Sequence, residues 1–313
     1  MNKNIGIVAL AALLLAPLSA YADVYGADGS EAMGYSRVIM NPRQAAMGFA
    51  GSASDGNMAW SALSSSSAMA FSSKTMDAGA VYQKWAPDGV KASVFGLGGA
   101  YRFGKLAVSA GYVGRRGEKY DVMDMNGVKS GTFRPTDLMV GVGVGYRISE
   151  SFSVGVNAKY LYTKLGPGTS YDSFASDITG TYRAGNFSVS AGVRNLGTKV
   201  EVVKGEKFRP SSSAMASASY RRVFGGVHSL EGVLDADWYF SGAMSAGAGA
   251  EYGYADIVFL RAGYHYGADD CVLPSFASLG VGVQYLGARI DFSYLTGNDY
   301  LGGTFTIGLG YSF

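Results

Sequence analysis

Asp235 and Asp237 stand two apart in Leu234-Asp235-Ala236-Asp237, the spacing that points two carboxylates to one face of an extended strand. Paired carboxylates can work as acid and base, but they serve equally as acceptors for buried cations. The same phase along neighbouring segments aligns Lys159, Glu231, Glu251, Arg261, Arg289 and Asp291. Both signs are present, so ion pairing is favoured over catalysis, with Arg261 or Lys159 as partners of the two aspartates. The two histidines, His228 and His265, are not spaced with Cys or carboxylates as metal ligands are. No nucleophile and base fall together in one phase. These positions therefore predict no catalytic, cofactor-binding or metal-ligating residue. Gly141-Val142-Gly143-Val144-Gly145 and Gly280-Val281-Gly282 have the wrong spacing for phosphate-binding loops, and no helix follows them. Glycine at every second position instead thins one face of a sheet, so that another segment or a ligand comes close.

The elements that must position these residues are strands with one greasy and one wet face. The chain ends in Thr304-Phe305-Thr306-Ile307-Gly308-Leu309-Gly310-Tyr311-Ser312-Phe313, a strict alternation closing on an aromatic. Alternating segments with turn signals between them recur from Asp77 onward, near 77–84, 90–102, 106–118, 132–147, 152–164, 173–184, 187–194, 210–222, 228–240, 244–254, 257–266, 275–285, 289–296 and 303–313. Every second connection is short, such as Phe103-Gly104-Lys105 and Leu286-Gly287, whereas the intervening ones, such as 121–131, 165–172 and 195–209, are mostly longer. Short turns at one end and longer loops at the other mark an outer-membrane barrel. The composition agrees: 48% hydrophobic, 16% charged, with 46 Gly and 22 Tyr, against about 25% charged in soluble domains. No stretch after Ala22 is apolar enough for a spanning helix. The predicted class is all-β: a transmembrane antiparallel β-barrel of about fourteen strands in the bacterial outer membrane, its outer face against lipid.

An Arg or Lys facing lipid at mid-membrane costs about 2–4 kcal/mol, and several would exceed the whole stability of a typical protein, about 5–15 kcal/mol. Charged strand residues must therefore face the lumen. In 289–294 this puts Arg289, Asp291 and Ser293 inside and Ile290, Phe292 and Tyr294 against lipid; in 152–163 it puts Ser153, Gly155, Asn157 and Lys159 inside. Tyr101, Tyr146, Tyr220, Tyr266 and Tyr311 suit an interfacial girdle.

At the N-terminus, Lys3, the apolar run Ile5 to Leu15 and Ala20-Tyr21-Ala22 read as a signal peptide over 1–22. Residues 23–76 lack long alternation yet are too apolar for a comfortable disordered tail, and much of this segment is expected to fold into the barrel, 77–313, as a hatch plugging the lumen, the plain alternative being a loose periplasmic extension. Met33, Met40, Met47, Met58 and Met69 in this segment suit an adaptable pocket or simple gap filling. The net charge of +2 leaves no nucleic-acid footprint. Cys271, the single cysteine, falls in a predicted outer loop at Asp269-Asp270-Cys271 as a free thiol.

The ordered run of Pro135-Thr136-Asp137-Leu138, Gly141 to Arg147, Ser153 to Tyr160, Ala191-Gly192-Val193-Arg194-Asn195-Leu196-Gly197, Leu234 to Asp237, Ala246 to Tyr252, Leu260 to Tyr264 and Leu273 to Gly280 resembles the PorV/PorQ-like family of FadL-like outer-membrane barrels. Ala46-Met47-Gly48, Asp55 and Trp60 match the family's N-terminal pattern, although Ser61-Ala62 stands where the family has Asn-Pro. The resemblance implies a fourteen-stranded barrel with an N-terminal plug and no enzymatic activity. It also implies one of two roles. A PorV-like barrel binds secreted or envelope cargo proteins in type IX-like secretion, together with secretion-complex subunits, through the outer loops near 121–134 and 195–209. A FadL-like channel passes hydrophobic small molecules across the outer membrane.

Overall fold

The computed structural model describes residues 31–313 except 55, 57, 86–90, 204–205, 269–270, 272 and 297–300. The stretch 1–22 expected to be a signal peptide, the first part of the expected hatch at 23–30, Asp55, Asp269 and Asp270 lie outside the described residues. The strands are β1 Met76–Trp85, β2 Ala92–Phe103, β3 Leu106–Arg116, β4 Tyr120–Met123, β5 Lys129–Phe133, β6 Thr136–Arg147, β7 Phe152–Gly166, β8 Thr169–Ala184 and β9 Phe187–Gly197. They continue with β10 Val200–Val203, β11 Glu206–Phe208, β12 Ser213–Phe224, β13 His228–Tyr239, β14 Met244–Tyr254, β15 Val258–Gly267, β16 Phe276–Tyr285, β17 Ala288–Thr296 and β18 Phe305–Ser312. Fourteen of them close into one barrel, ordered β1-β18-β17-β16-β15-β14-β13-β12-β9-β8-β7-β6-β3-β2. The last strand pairs antiparallel with the first, Asp77 opposite Ser312 and Lys84 opposite Phe305. The terminal Phe313 carbonyl accepts from Thr75 and Met76 N–H groups, so the chain end is tied into the seam.

The fourteen barrel strands occupy the segments that alternation predicts, and the loops differ more. The connection 121–131 lies within the hairpin β4–β5, which pairs Tyr120 with Phe133, and 195–209 contains β10–β11. The stretch 165–172 is not a long loop: β7 and β8 continue to a turn at Pro167-Gly168, with Thr163 opposite Tyr171. Beyond the membrane neither face of a hairpin meets lipid, so the period-2 signal fades while backbone pairing continues.

Burial alternates along the wall. Arg289, Asp291 and Ser293 are buried, while Ile290, Phe292 and Tyr294 are exposed on the outer surface. Ser153, Asn157 and Lys159 are buried on β7 as well. Tyr101, Tyr146, Tyr220 and Tyr311, all near the short-turn end, are exposed.

The inner face of the wall is in contact with residues 31–75. A short helix, α1 Pro42–Ala45, starts at Asn41, whose side chain accepts from Arg43 N–H at 3.0 Å, with Pro at the first turn. Around it run 3-10 turns over Gly34–Arg37, Met58–Leu63 and Ala68–Phe71. These pieces lie against glycine. The Trp60 indole packs on Gly79, Gly96 and Gly98, the Ala62 carbonyl on Gly141, Ser66 on Gly143 and Gly145, and Ser67 on Gly155. Met47 and Gly48 press on Gly249 and Gly263. Gly48 itself has φ +69°, and a Cβ there would overlap the Tyr264 backbone, so both conformation and space call for glycine.

Gly263→Val would drive a side chain into Met47 and Gly48 backbone. The barrel is expected to form, since the substitution lies on one inner face, but 31–75 should lose its seat at a cost of about 1–3 kcal/mol. Retained heat-modifiable migration in electrophoresis, with faster proteolysis within 31–75, is the expected result; unchanged proteolysis refutes it.

Candidate functional site

The lumen divides along its axis. The half near the short turns carries a continuous chain of charges. Arg43 Nε donates to Glu251 at 2.7 Å, and its Nη2 donates to Glu231 at 2.9 Å and to Glu251 at 3.0 Å. Arg261 Nε donates to Glu251 and its Nη1 to Asp291, both at 2.6 Å. Arg289 pairs with Asp291 at 2.9 Å and with Asp77 at 3.5 Å. Asp77 in turn accepts from the Ala59 N–H at 3.0 Å. The chain Glu231–Arg43–Glu251–Arg261–Asp291–Arg289–Asp77 thus runs from β13 to β1, and Arg43 is its link from the N-terminal segment. Register assembles it: Glu231 lies opposite Glu251, and Glu251 opposite Arg261. Two carboxylates side by side repel unless a cation sits between them, and Arg43 fills that place. Lys74 stands at the edge of the network. Burial pushes its ammonium below the ordinary lysine range, Arg289 adds to this, and Asp77 pulls the other way.

A second cluster sits where the β8–β9 ladder shifts between Ser176 and Ile178. Lys159 pairs with Asp177 at 2.7 Å and donates to Asn195 Oδ1 at 3.0 Å. Asn195, at φ +53°, directs its own N–H to Asp177 at 2.8 Å. A bulge of this kind re-aims side chains inward.

The half of the lumen near the long connections combines an apolar cluster with further ion pairs, Arg115 with Asp137 at 3.1 Å and Arg194 with Asp237 at 3.5 Å. Met33, Met40, Phe49, Trp60, Trp85, Val113, Leu161, Phe276 and Leu295 share one buried cluster. Within it lies a chamber of about 70 Å³ bordered by Val38, Ile39, Met40, Phe49, Trp60 and Leu63, with Lys159, Arg194, Asn195 and His265 among its polar groups. Tyr35, beside it, donates its hydroxyl to the Leu138 and Tyr162 carbonyls at 2.8 and 3.1 Å, and burial pushes its pKa well above the ordinary value.

Of the residues singled out from sequence, Glu231, Glu251, Arg261, Arg289 and Asp291 meet in one network, whereas Lys159 belongs to the separate Asp177 cluster. Asp235 and Asp237 do not pair with Arg261 or Lys159. Asp235 accepts from Gly51 N–H at 2.9 Å, from Ser217 at 2.6 Å and from Ser52, while Asp237 takes Ser213 at 2.9 Å and Arg194 at 3.5 Å. Register is the reason. Asp235 faces Ser217 and Gly247 on its neighbouring strands, and Asp237 faces Met215 and Ser245. Asp77, Asp177 and Arg194 were missed, although the rule that a charge inside a strand faces the lumen covers them. Arg43 carries no such signal, because it lies in an irregular segment. Of the five methionines, Met40 borders the chamber; Met47 and Met69 fill space against Gly249 and Gly145. Among the described residues no cluster of His, Cys, Asp and Glu fits a metal ion.

No family model and no curated protein matches the chain. Solved structures do. The CymD monoaromatic hydrocarbon channel superposes with a TM-score of 0.60 at 15% identity, over 87% of this chain and 97% of its own. The Pseudomonas putida toluene transporter TodX gives 0.57 at 13%, over 87% and 97%. A Pseudomonas aeruginosa FadL homologue gives 0.53 at 13%, over 88% and 98%. The chain has the fold of the FadL-like outer-membrane barrels. At these identities the likeness is one of architecture, extending over nearly the whole length of each neighbour.

Arg43→Ala would strip the shared cation from Glu231 and Glu251, at a cost of about 3–5 kcal/mol for a broken buried pair. Arg43→Lys keeps the charge but not the two-pronged fork, and should fall between wild type and Ala. Urea titration of the refolded barrel in detergent checks the order; equal midpoints for all three chains contradict it.

Proposed function

We propose that this barrel admits compact hydrophobic molecules through its outer end, in the manner of a FadL-like channel, with residues 31–75 as the hatch. The observation that carries this reading is the axial division of the lumen. A chamber with one apolar wall, Val38, Ile39, Met40, Phe49, Trp60 and Leu63, lies toward the long connections, and an ion-paired floor lies toward the short turns. An apolar solute gains by leaving water for the chamber. It gains nothing from the floor, whose charges are already paired, so passage beyond the chamber requires 31–75 to shift. The chamber is about 70 Å³, smaller than the roughly 150 Å³ apolar cavity that accepts benzene in an engineered protein. Its occupant is therefore small, and flexible Met40 and Leu63 must give way to it. Outer-membrane residence goes with this role. Vesicles with lipopolysaccharide in the outer leaflet should take up radiolabelled toluene several-fold faster with the protein than without it; equal rates refute passage.

A second reading, a PorV-like receptor for secreted protein, is favoured by one feature. The β4–β5 hairpin projects Met123, Met125 and Val128, all more than half exposed, and a run of solvated apolar tips of this kind suits contact with another protein. Deleting 120–133 should abolish capture of secreted cargo in a pull-down while leaving toluene uptake intact; undiminished capture counts against the receptor role.

A further inference from the structure

We propose that the outer-end chamber selects small aromatic molecules bearing a hydroxyl group, and that the hydroxyl donates its hydrogen to Nε2 of His265. The inference rests on the chamber being a ligand site and goes further, to the chemistry of the ligand. His265 borders the chamber and is 5% exposed. Its ring stacks on Phe276 at 4.9 Å and leans on Phe49 at 5.7 Å. Nδ1 lies 3.4 Å from the Gly48 carbonyl. A carbonyl only accepts, so Nδ1 carries the hydrogen, and the neutral ring presents a lone pair at Nε2. Nε2 is buried and has no partner among the described residues. Buried polar atoms are almost always satisfied, and an exception beside a cavity points to a group that arrives with the ligand.

The unpaired acceptor sorts the candidate ligands. A plain hydrocarbon fills the chamber but leaves Nε2 unsatisfied. A carboxylate has no hydrogen to give Nε2, and the cations at the border, Arg37, Lys159 and Arg194, are already paired with Glu31, Asp177 and Asp237. An ammonium donates, but it must shed its water to enter, Asp237 is already paired with Arg194, and the Asp235 oxygens already take Gly51, Ser52 and Ser217 donors. A hydroxyl donates and is neutral. It also accepts, and Arg37 Nε and Nη1 and Arg194 Nε, buried atoms of residues bordering the chamber, have no partner among the described residues. Phe49 and Trp60 supply faces for a single ring.

The test is calorimetry on the protein in lipid nanodiscs, with empty discs as the blank, using benzyl alcohol, toluene and benzoate. Benzyl alcohol should bind about tenfold more tightly than toluene, or about 1.4 kcal/mol, and benzoate most weakly. His265→Phe keeps the stacking and should erase the gap between benzyl alcohol and toluene. His265→Gln, which restores an acceptor, should recover part of it, and heat-modifiable migration verifies that both variants fold. Equal binding of benzyl alcohol and toluene, tightest binding of benzoate, or a gap that survives in His265→Phe overturns the inference while the channel reading stands. If none of the three binds, the chamber is not a ligand site and both readings fall.

Discussion

Every feature of this molecule depends on closure of the sheet. In hydrocarbon a backbone N–H or C=O has no water to turn to, and each unsatisfied group costs several kcal/mol. A sheet in lipid is therefore stable only without edges. Pairing of β1 with β18, and the bonds of the Phe313 carbonyl to Thr75 and Met76, remove the last edge. Once the ring is closed, alternation has one meaning at every position. The outward set must be apolar, and the inward set is free to carry charge.

That freedom creates a second constraint inside. Charges taken from water must be paired, and the wall supplies pairs by register, as Glu251 and Arg261 show. It also sets Glu231 and Glu251 side by side, a repulsive arrangement within the wall alone. Arg43 from α1 resolves it. The same segment is received by glycines on the inner face, where backbone of residues 46–67 comes too close for any side chain. Electrostatics and bare backbone thus hold the N-terminal segment together, one by demand for a cation and the other by space. Toward the long connections the wall pairs its own charges, Arg194 with Asp237 and Arg115 with Asp137, and the chamber lies there beside an apolar cluster.

The neighbours of this fold include a monoaromatic hydrocarbon channel and a toluene transporter. At identities of 13–15% the likeness to these neighbours is one of architecture, and ligand chemistry in this lumen depends on its own side chains. Buried atoms without partners among the described residues, on Arg37, Arg194 and His265, mark what a ligand there would have to satisfy.

Strand positions, the lipid-facing phase and the closed architecture were legible in the sequence, because a membrane imposes period 2 on every strand that crosses it. The charges of β13, β14, β15 and β17 could be assigned inward for the same energetic reason. The partners of those charges could not. Pairing depends on the stagger between strands, which is why Asp235 meets Ser52 and Ser217 rather than Arg261. The extension of β7 and β8 past the membrane was hidden because water on both faces removes the alternation. The roles of Arg43, the glycine-lined seat and the unsatisfied His265 Nε2 were decided by the tertiary structure alone. Each depends on where an irregular segment rests against a wall formed by residues far away in the chain, and no local pattern encodes that meeting.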